Sequence, residues 1–200
     1  MTEPPHGPQP LRQLPNAITV ARLLSTPLLA WLAWNRMEGV FAGLLVIALF
    51  SDVVDGWLAR RLALESRRGA LLDSLADVAL MGVVLFAIWP LHPEVYRNHG
   101  PPMAAVVALI ALGHVAALLR FGRLASFHTR LLRAGIVVFS AFAVVLFVFG
   151  FQPSLLYLAM VVCAAGAVEQ IVLVMLLPEW TPNFRGGIRE AIRRRRDGPD

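Results

Sequence analysis

Between positions 52 and 77 the chain sets four aspartates into apolar sequence: Asp52, Asp55, Asp73 and Asp77. Asp52 and Asp55 are three positions apart and Asp73 and Asp77 four apart, so on helices each pair shares one face. A charge at bilayer depth is costly, which makes an intramembrane aspartate a functional residue by default. The stretch from Glu65 to Gly69 reads as a tight reversal. Two antiparallel helices would then bring both pairs together. Four carboxylates at close range repel one another unless cations neutralise them. Hard divalent cations take oxygen ligands, so the pattern predicts Mg2+ or Mn2+.

The residues between the aspartates fit the same chemistry. Gly56 and Ala59 lie beside Asp55 on the same helix, and their lack of bulk lets a phosphorylated ligand approach the backbone. Arg60 can hold a phosphate through two parallel donors, and Gly69 leaves room for a base or sugar. Metals clamping bridging phosphates, with a carboxylate to deprotonate an attacking hydroxyl, suit cleavage of a pyrophosphate. A lone pair of aspartates three apart is common and often caps a helix. Eight typed positions at fixed offsets in an apolar background are another matter.

The elements that position these residues follow from composition and run length. Of 200 residues, 58% are hydrophobic and 16% charged, too apolar for a water-facing surface of this size. Six apolar stretches fall near 16–35, 40–60, 70–90, 102–121, 132–151 and 154–178, each close to the roughly 20 residues that cross a bilayer as a helix. The expected fold is all-α and polytopic, with six transmembrane helices. Residues 1–14 read as a Pro-rich mobile arm, 15–178 as the membrane domain, and 179–200 as a basic cytoplasmic tail. The start does not resemble a cleaved signal peptide. Cys163 stands alone in an apolar run, so there is no disulfide framework and no cysteine metal site.

All 18 basic residues are Arg, and the formal net charge is +5. Coding bias in a GC-rich genome explains this more readily than arginine's grip on phosphate does. In so apolar a chain the charge reads as membrane-edge arginine rather than nucleic-acid binding. With the N-terminus inside, sixteen arginines fall on the cytoplasmic side and only Arg36 and Arg97 outside, so both termini are expected in the cytoplasm.

The register Asp52-x2-Asp55-Gly56-x2-Ala59-Arg60-x8-Gly69-x3-Asp73-x3-Asp77 resembles the signature of the CDP-alcohol phosphatidyltransferase family at every typed position. The resemblance implies that Asp52, Asp55 and Asp73 bind a metal pair, and that Asp77 is both ligand and general base. It assigns Gly56, Ala59, Arg60 and Gly69 to the CDP moiety. It also implies transfer of a phosphatidyl group from CDP-diacylglycerol to an alcohol with release of CMP, in a homodimer with a polar, cytoplasm-facing active-site cavity in a bacterial inner membrane. The run Pro15-Asn16-x2-Thr19-x2-Arg22 is similar to the family's opening. Asn16 and Thr19 would then lie near the nucleotide; the alternative is a helix start with Asn16 as cap and Arg22 reaching out to the interface.

The acceptor is harder to read. Leu72-Asp73-Ser74-Leu75-Ala76-Asp77-Val78 lacks the Pro and Lys of the LDPxADK form usual in phosphatidylglycerophosphate synthases and looks partly like phosphatidylserine synthases. Glycerol 3-phosphate is the first expectation, with serine, inositol phosphate and phosphatidylglycerol behind it. An anionic acceptor needs cations, and Arg120, Arg123, Arg130 and Arg133 share one loop region with His128. Juxtamembrane arginines also serve as topology signals meeting anionic lipid heads. Glu169 is an intramembrane acid that faces a cavity or hydrogen-bonds a neighbouring helix; His114 reads as a packing residue. Arg193 to Arg196 read as an acidic-lipid contact or a disordered end. The rival class is a divalent cation transporter, but no repeat or broken-helix pattern supports it.

Overall fold

The structure, a computed structural model, describes the backbone of residues 9–61, 67–122, 130–177 and 188–197. Side chains are described over 20–51, 75–122, 131–177, 188 and 190–193. Among the described residues there are helices and no strands. They run α1 (Gln9–Trp34), α2 (Glu38–Arg61), α3 (Arg67–Leu91), α4 (Pro93–Phe121), α5 (Arg130–Phe149), α6 (Pro153–Leu176) and α7 (Ile188–Asp197). The chain forms two compact units, residues 1–96 and 97–200. Among the described residues, α4, α5 and α6 carry segments long and apolar enough to cross a membrane, and α1, α2 and α3 carry shorter apolar segments.

In the first unit α1 packs against both α2 and α3. The buried residues recur every three or four positions: Leu29, Leu32 and Ala33 on α1; Phe41, Ala42, Leu45 and Ala48 on α2; Ala76, Leu80, Val84, Ala87 and Ile88 on α3. Each helix therefore presents one stripe to its neighbours. The opposite faces are apolar too. Leu24, Ile47 and Phe50 are large, hydrophobic and more than 60% exposed, an outside that suits lipid rather than water. With lipid outside, expulsion of water contributes little, and the helices hold by close packing and interhelical polar contacts.

The α1–α2 turn is closed by Met37 N–H donating to the Leu32 carbonyl at 2.9 Å, with Arg36 in the left-handed region at φ 56°. At the same end Trp34 stacks against Phe86 at 6.4 Å between centroids and lies 6.0 Å from Trp89. His92 sits between two carboxylates there, 2.9 Å from Glu38 and 3.4 Å from Glu94. Indole rings with charged groups beside them mark a membrane–water boundary. Asp77 lies twelve positions before Trp89 on α3, about 18 Å along the axis, which puts it far from this boundary.

The second unit is assembled through small residues. A Cβ on Gly135 of α5 would lie 3.5 Å from Cys163, and one on Gly166 of α6 would lie 3.4 Å from Leu132. The two pairs run in opposite senses along the chain, the register of antiparallel helices. Between α4 and α6 the partners instead advance together. Gly113 and His114 meet Gln170, while Arg120 reaches Met175 and Leu177, so these two helices are parallel. The α5–α6 turn uses Gly150 at φ +96°, then Gln152 as N-cap and Pro153 at the first helical turn.

Three findings differ from the sequence reading. First, α1 begins at Gln9, inside the stretch read as an arm. Second, the gap between the apolar stretches 70–90 and 102–121 shrinks to His92, with Pro101 and Pro102 inside α4. Third, the tail contains α7, whose Ala191 is buried in a cluster with Ala117, Leu173, Val174 and Leu177.

Candidate active site

The signature residues fall on two helices of the first unit. Asp52, Asp55, Gly56, Ala59 and Arg60 occupy the last three turns of α2, and Gly69, Asp73 and Asp77 the first three turns of α3. The helical backbone puts Asp52 and Asp55 on one face and Asp73 and Asp77 on another. Asp77 is the one member of the tetrad whose side chain is described; those of Asp52, Asp55, Gly56, Ala59, Arg60, Gly69 and Asp73 lie outside the described residues, as do those of Asn16 and Thr19. Among the described residues no three His, Cys, Asp or Glu side chains gather as a metal site. The expected convergence of the two carboxylate pairs therefore rests on the register of the two helices.

Asp77 meets a cation from α1. The Arg22 Nη1 lies 3.5 Å from Asp77 Oδ1, with the arginine side chain fully buried and the aspartate 36% exposed. Arg22 thus neither reaches out to the interface nor sits at a helix start, and Asn16, seven positions into α1, is not its N-cap. A guanidinium taken out of water needs an anion and hydrogen-bond acceptors close by. Asp77 supplies the charge, and the pair ties α1 to α3 at the level of the signature. Local hydroxyls are satisfied within α1: Ser25 donates to the Arg22 carbonyl at 2.7 Å and Thr26 to the Leu23 carbonyl at 2.7 Å. They therefore add no unsatisfied polar group beside the site.

This pairing is what reading the residues one helix at a time missed. The one signal was Arg22 itself, an arginine inside an apolar run in a chain that also carries an aspartate inside another. Such charges are expected to find one another. Chemically, a half-exposed carboxylate held on one oxygen side by a buried cation keeps a fixed orientation. That suits both a metal ligand and a proton acceptor.

The four arginines expected around the acceptor separate in their roles. Arg123 lies outside the described residues, as does the Arg130 side chain, and Arg133 is exposed on α5. The Arg120 guanidinium donates to the Met175 carbonyl at 3.0 Å and to the Leu177 carbonyl at 3.1 Å. These carbonyls end α6, where the last turn has no intrahelical donors, so Arg120 is already engaged in closing that helix. His114 packs as expected, with Nδ1 2.9 Å from the Ile110 carbonyl. Glu169 keeps Oε2 buried with no hydrogen-bond partner among the described residues.

The described residues are helical, with apolar spans and an aspartate register across two helices beside a buried cation. The chain matches the CDP-alcohol phosphatidyltransferase family over residues 12–168 and belongs to it. It is 31% identical over 137 residues to a CDP-diacylglycerol–glycerol-3-phosphate 3-phosphatidyltransferase of Cereibacter sphaeroides, covering 58% of each chain. It is 36% identical over 90 residues to the chloroplastic enzyme of that name from Oryza sativa subsp. japonica, covering 44% of this chain and 27% of the relative. A cardiolipin synthase (CMP-forming) of the same plant is 33% identical over 117 residues, covering 54% and 35%. The chain thus spans well under two thirds of the length of these relatives. No solved structure matches it.

Proposed function

We propose that this protein transfers a phosphatidyl group from CDP-diacylglycerol to an alcohol and releases CMP, with glycerol 3-phosphate as the first acceptor. The observation that carries this reading is the complete aspartate register on α2 and α3 within the family match. Relatives named for the glycerol 3-phosphate reaction support the acceptor. A second acceptor, phosphatidylglycerol, has its own support: relatives named as cardiolipin synthases match comparable stretches, and the Asp73–Asp77 segment lacks the Pro and Lys usual for the first class.

Asp52, Asp55, Asp73 and Asp77 form an oxygen-only donor set, which fits a pair of Mg2+ or Mn2+ ions. Bound there, such ions would neutralise the carboxylates and supply Lewis acidity to the pyrophosphate. The chain's own groups do the rest. Arg60 holds a phosphate of the CDP moiety, while Gly56, Ala59 and Gly69 leave space along the helix for the nucleotide, with Asn16 and Thr19 on α1 nearby. Asp77 takes the proton from the acceptor hydroxyl as that oxygen bonds to the phosphorus bearing diacylglycerol. The bond from that phosphorus to the bridging oxygen breaks, and CMP leaves with the electron pair. Arg22 holds Asp77 in register for this transfer. The reading includes six spans, both termini in the cytoplasm of a bacterium, a cytoplasm-facing cavity and a homodimer. Arg123, Arg130 and Arg133 would serve the acceptor's phosphate.

The test is CMP release by purified protein in mixed micelles from radiolabelled CDP-diacylglycerol. Glycerol 3-phosphate, serine, inositol phosphate and phosphatidylglycerol are offered in turn, with and without divalent cation. Release should require both an acceptor and a divalent ion and should be fastest with glycerol 3-phosphate. Silence with every acceptor, in protein that is folded and loaded with Mg2+ or Mn2+, would remove the transferase reading. A clear preference for phosphatidylglycerol would replace the acceptor.

A further inference from the structure

α7 combines three features. Its Ala191 is 0% exposed, packed on Ala117 of α4, on Leu173 and Val174 of α6 and on Leu177 just beyond it. The small side chain lets the helix lie close against the ends of those two spans. Beside Ala191 on the helical wheel stand Ile188 and Ile192, one turn apart, which remain 36% and 51% exposed. The rest of the helix is strongly basic: Arg189 and Arg193 to Arg196 against Glu190 and Asp197. Helical register puts Arg189, Arg193 and Arg196 on the arc that borders the isoleucines.

The place matters as much as the pattern. α4 and α6 are both apolar enough to span a bilayer, and they end at Phe121 and Leu176. Arg120 ties those ends together. A helix docked on them lies at the depth where acyl chains give way to headgroups. Two exposed isoleucines bury too little area to hold a helix in lipid alone. Arginines at an anionic surface supply the missing attraction, about fivefold in partition for each that reaches it. Arg193 is the described example: its side chain is 69% exposed, and it is paired with Glu190 at 3.0 Å within the helix.

We propose that α7 is an interfacial helix that docks on an anionic lipid surface, with Ile188 and Ile192 at the acyl boundary and its arginines among acidic headgroups. This rests on the membrane topology of α4 and α6 and is independent of the phosphatidyl-transfer reading. The helix would respond to the acidic-lipid content of the bilayer.

The experiment uses the full chain in nanodiscs of phosphatidylcholine alone or of phosphatidylcholine with abundant phosphatidylglycerol. Cys163 is replaced by Ala, and an environment-sensitive dye is attached at Ile192→Cys. A second dye site, Val137→Cys, is 67% exposed midway along α5 and reports insertion in both lipids. The Ile192 site should shift to an apolar emission, and become quenchable by brominated acyl chains, only in the anionic discs. High salt or the double variant R193E/R196E should reverse the shift, since two charge reversals lower partition by at least about twenty-fivefold. Three results would overturn the proposal while Val137 still reports insertion. One is a water-like Ile192 site in both lipids. Another is an equally apolar site in both, which means protein covers it. The third is protection in lipid-free detergent that depends on protein concentration, which means a second copy covers it.

Discussion

The two units solve the same problem, holding helices together in lipid, by opposite means. The first ties α1 to α3 through a charged pair, Arg22 and Asp77, with the cation fully buried. The second uses no such pair among its described spans. Its helices approach at Gly113, Gly135 and Gly166 and exchange neutral contacts such as His114 with Gln170. Close packing at small residues is the inexpensive way to join membrane helices. A buried charge pair is the costly way, and its desolvation is tolerated where a charge is needed for something else. If the proposed transfer holds, the contrast assigns the reacting carboxylates to the first unit and a packing role to the spans of the second. It predicts that substitutions in the two units will separate activity from stability.

The largest effect is expected from Asp77→Asn, which keeps the shape and removes the charge. CMP release should fall by at least about a hundredfold, the scale of a lost proton acceptor, with an additional loss if metal binding weakens. A melting curve in detergent should show that the variant remains folded. Full turnover would remove Asp77 from the reaction.

Next comes Arg22→Met, which fills similar space without charge. Loss of the cation leaves Asp77 without its charged neighbour on α1, so the carboxylate loses the contact that fixes its orientation. Turnover should drop while the Michaelis constant for the acceptor holds, because Arg22 acts through Asp77. Arg22→Lys should recover part of the turnover, as it restores a point charge but not the planar fork. Combining Arg22→Met with Asp77→Asn should cost less than the two single losses together, a coupling of about 0.5–3 kcal/mol. Strict additivity would mean that the 3.5 Å contact does not matter.

These two residues also mark how far the sequence could be read. The aspartate register was legible because helical periodicity needs only spacing, and the apolar runs placed α2, α3, α5 and α6 to within about three residues. The Arg22–Asp77 pair was not, because it depends on how α1 lies against α3, and nothing in either helix alone encodes that. Pro101 and Pro102 pointed to a break, yet α4 runs through them. Each proline removes one backbone donor, and a membrane helix can absorb that loss where local adjustments, waters or other side chains satisfy the freed carbonyls. α7 was hidden for a different reason. Five arginines in ten residues read as a solvated end, and the buried contact seen among the described residues of the helix is made by an alanine, a residue with no signature of its own.

In the second unit the expected losses are structural. A Cβ on Gly113 would meet the Gln170 side chain at 3.1 Å, whereas one on Gly135 would meet Cys163 at an ordinary 3.5 Å. Gly113→Leu should therefore destabilise by about 1–3 kcal/mol through overpacking, while Gly135→Ala should be close to neutral. Turnover per folded molecule should be unchanged in both. A Gly113→Leu variant that stayed fully stable but lost turnover would erase the division between scaffold and site.

The smallest effect concerns Gln170, which is 2% exposed and whose amide lies 3.3 Å from His114 Nδ1. That same ring nitrogen is 2.9 Å from the Ile110 carbonyl, so it must carry the proton and donate there. A nitrogen that donates cannot also accept from the Gln170 amide NH2. The consistent arrangement turns the Gln170 carbonyl oxygen toward Nδ1, where it takes a share of the same proton. Such a shared, neutral bond between membrane helices is worth about 0.6 kcal/mol. Gln170→Met preserves length and volume and removes only that share. Its melting temperature should move little and its turnover not at all. A loss of several kcal/mol would show that the second unit, too, depends on a buried polar link, and the contrast with Arg22 and Asp77 would then be one of degree.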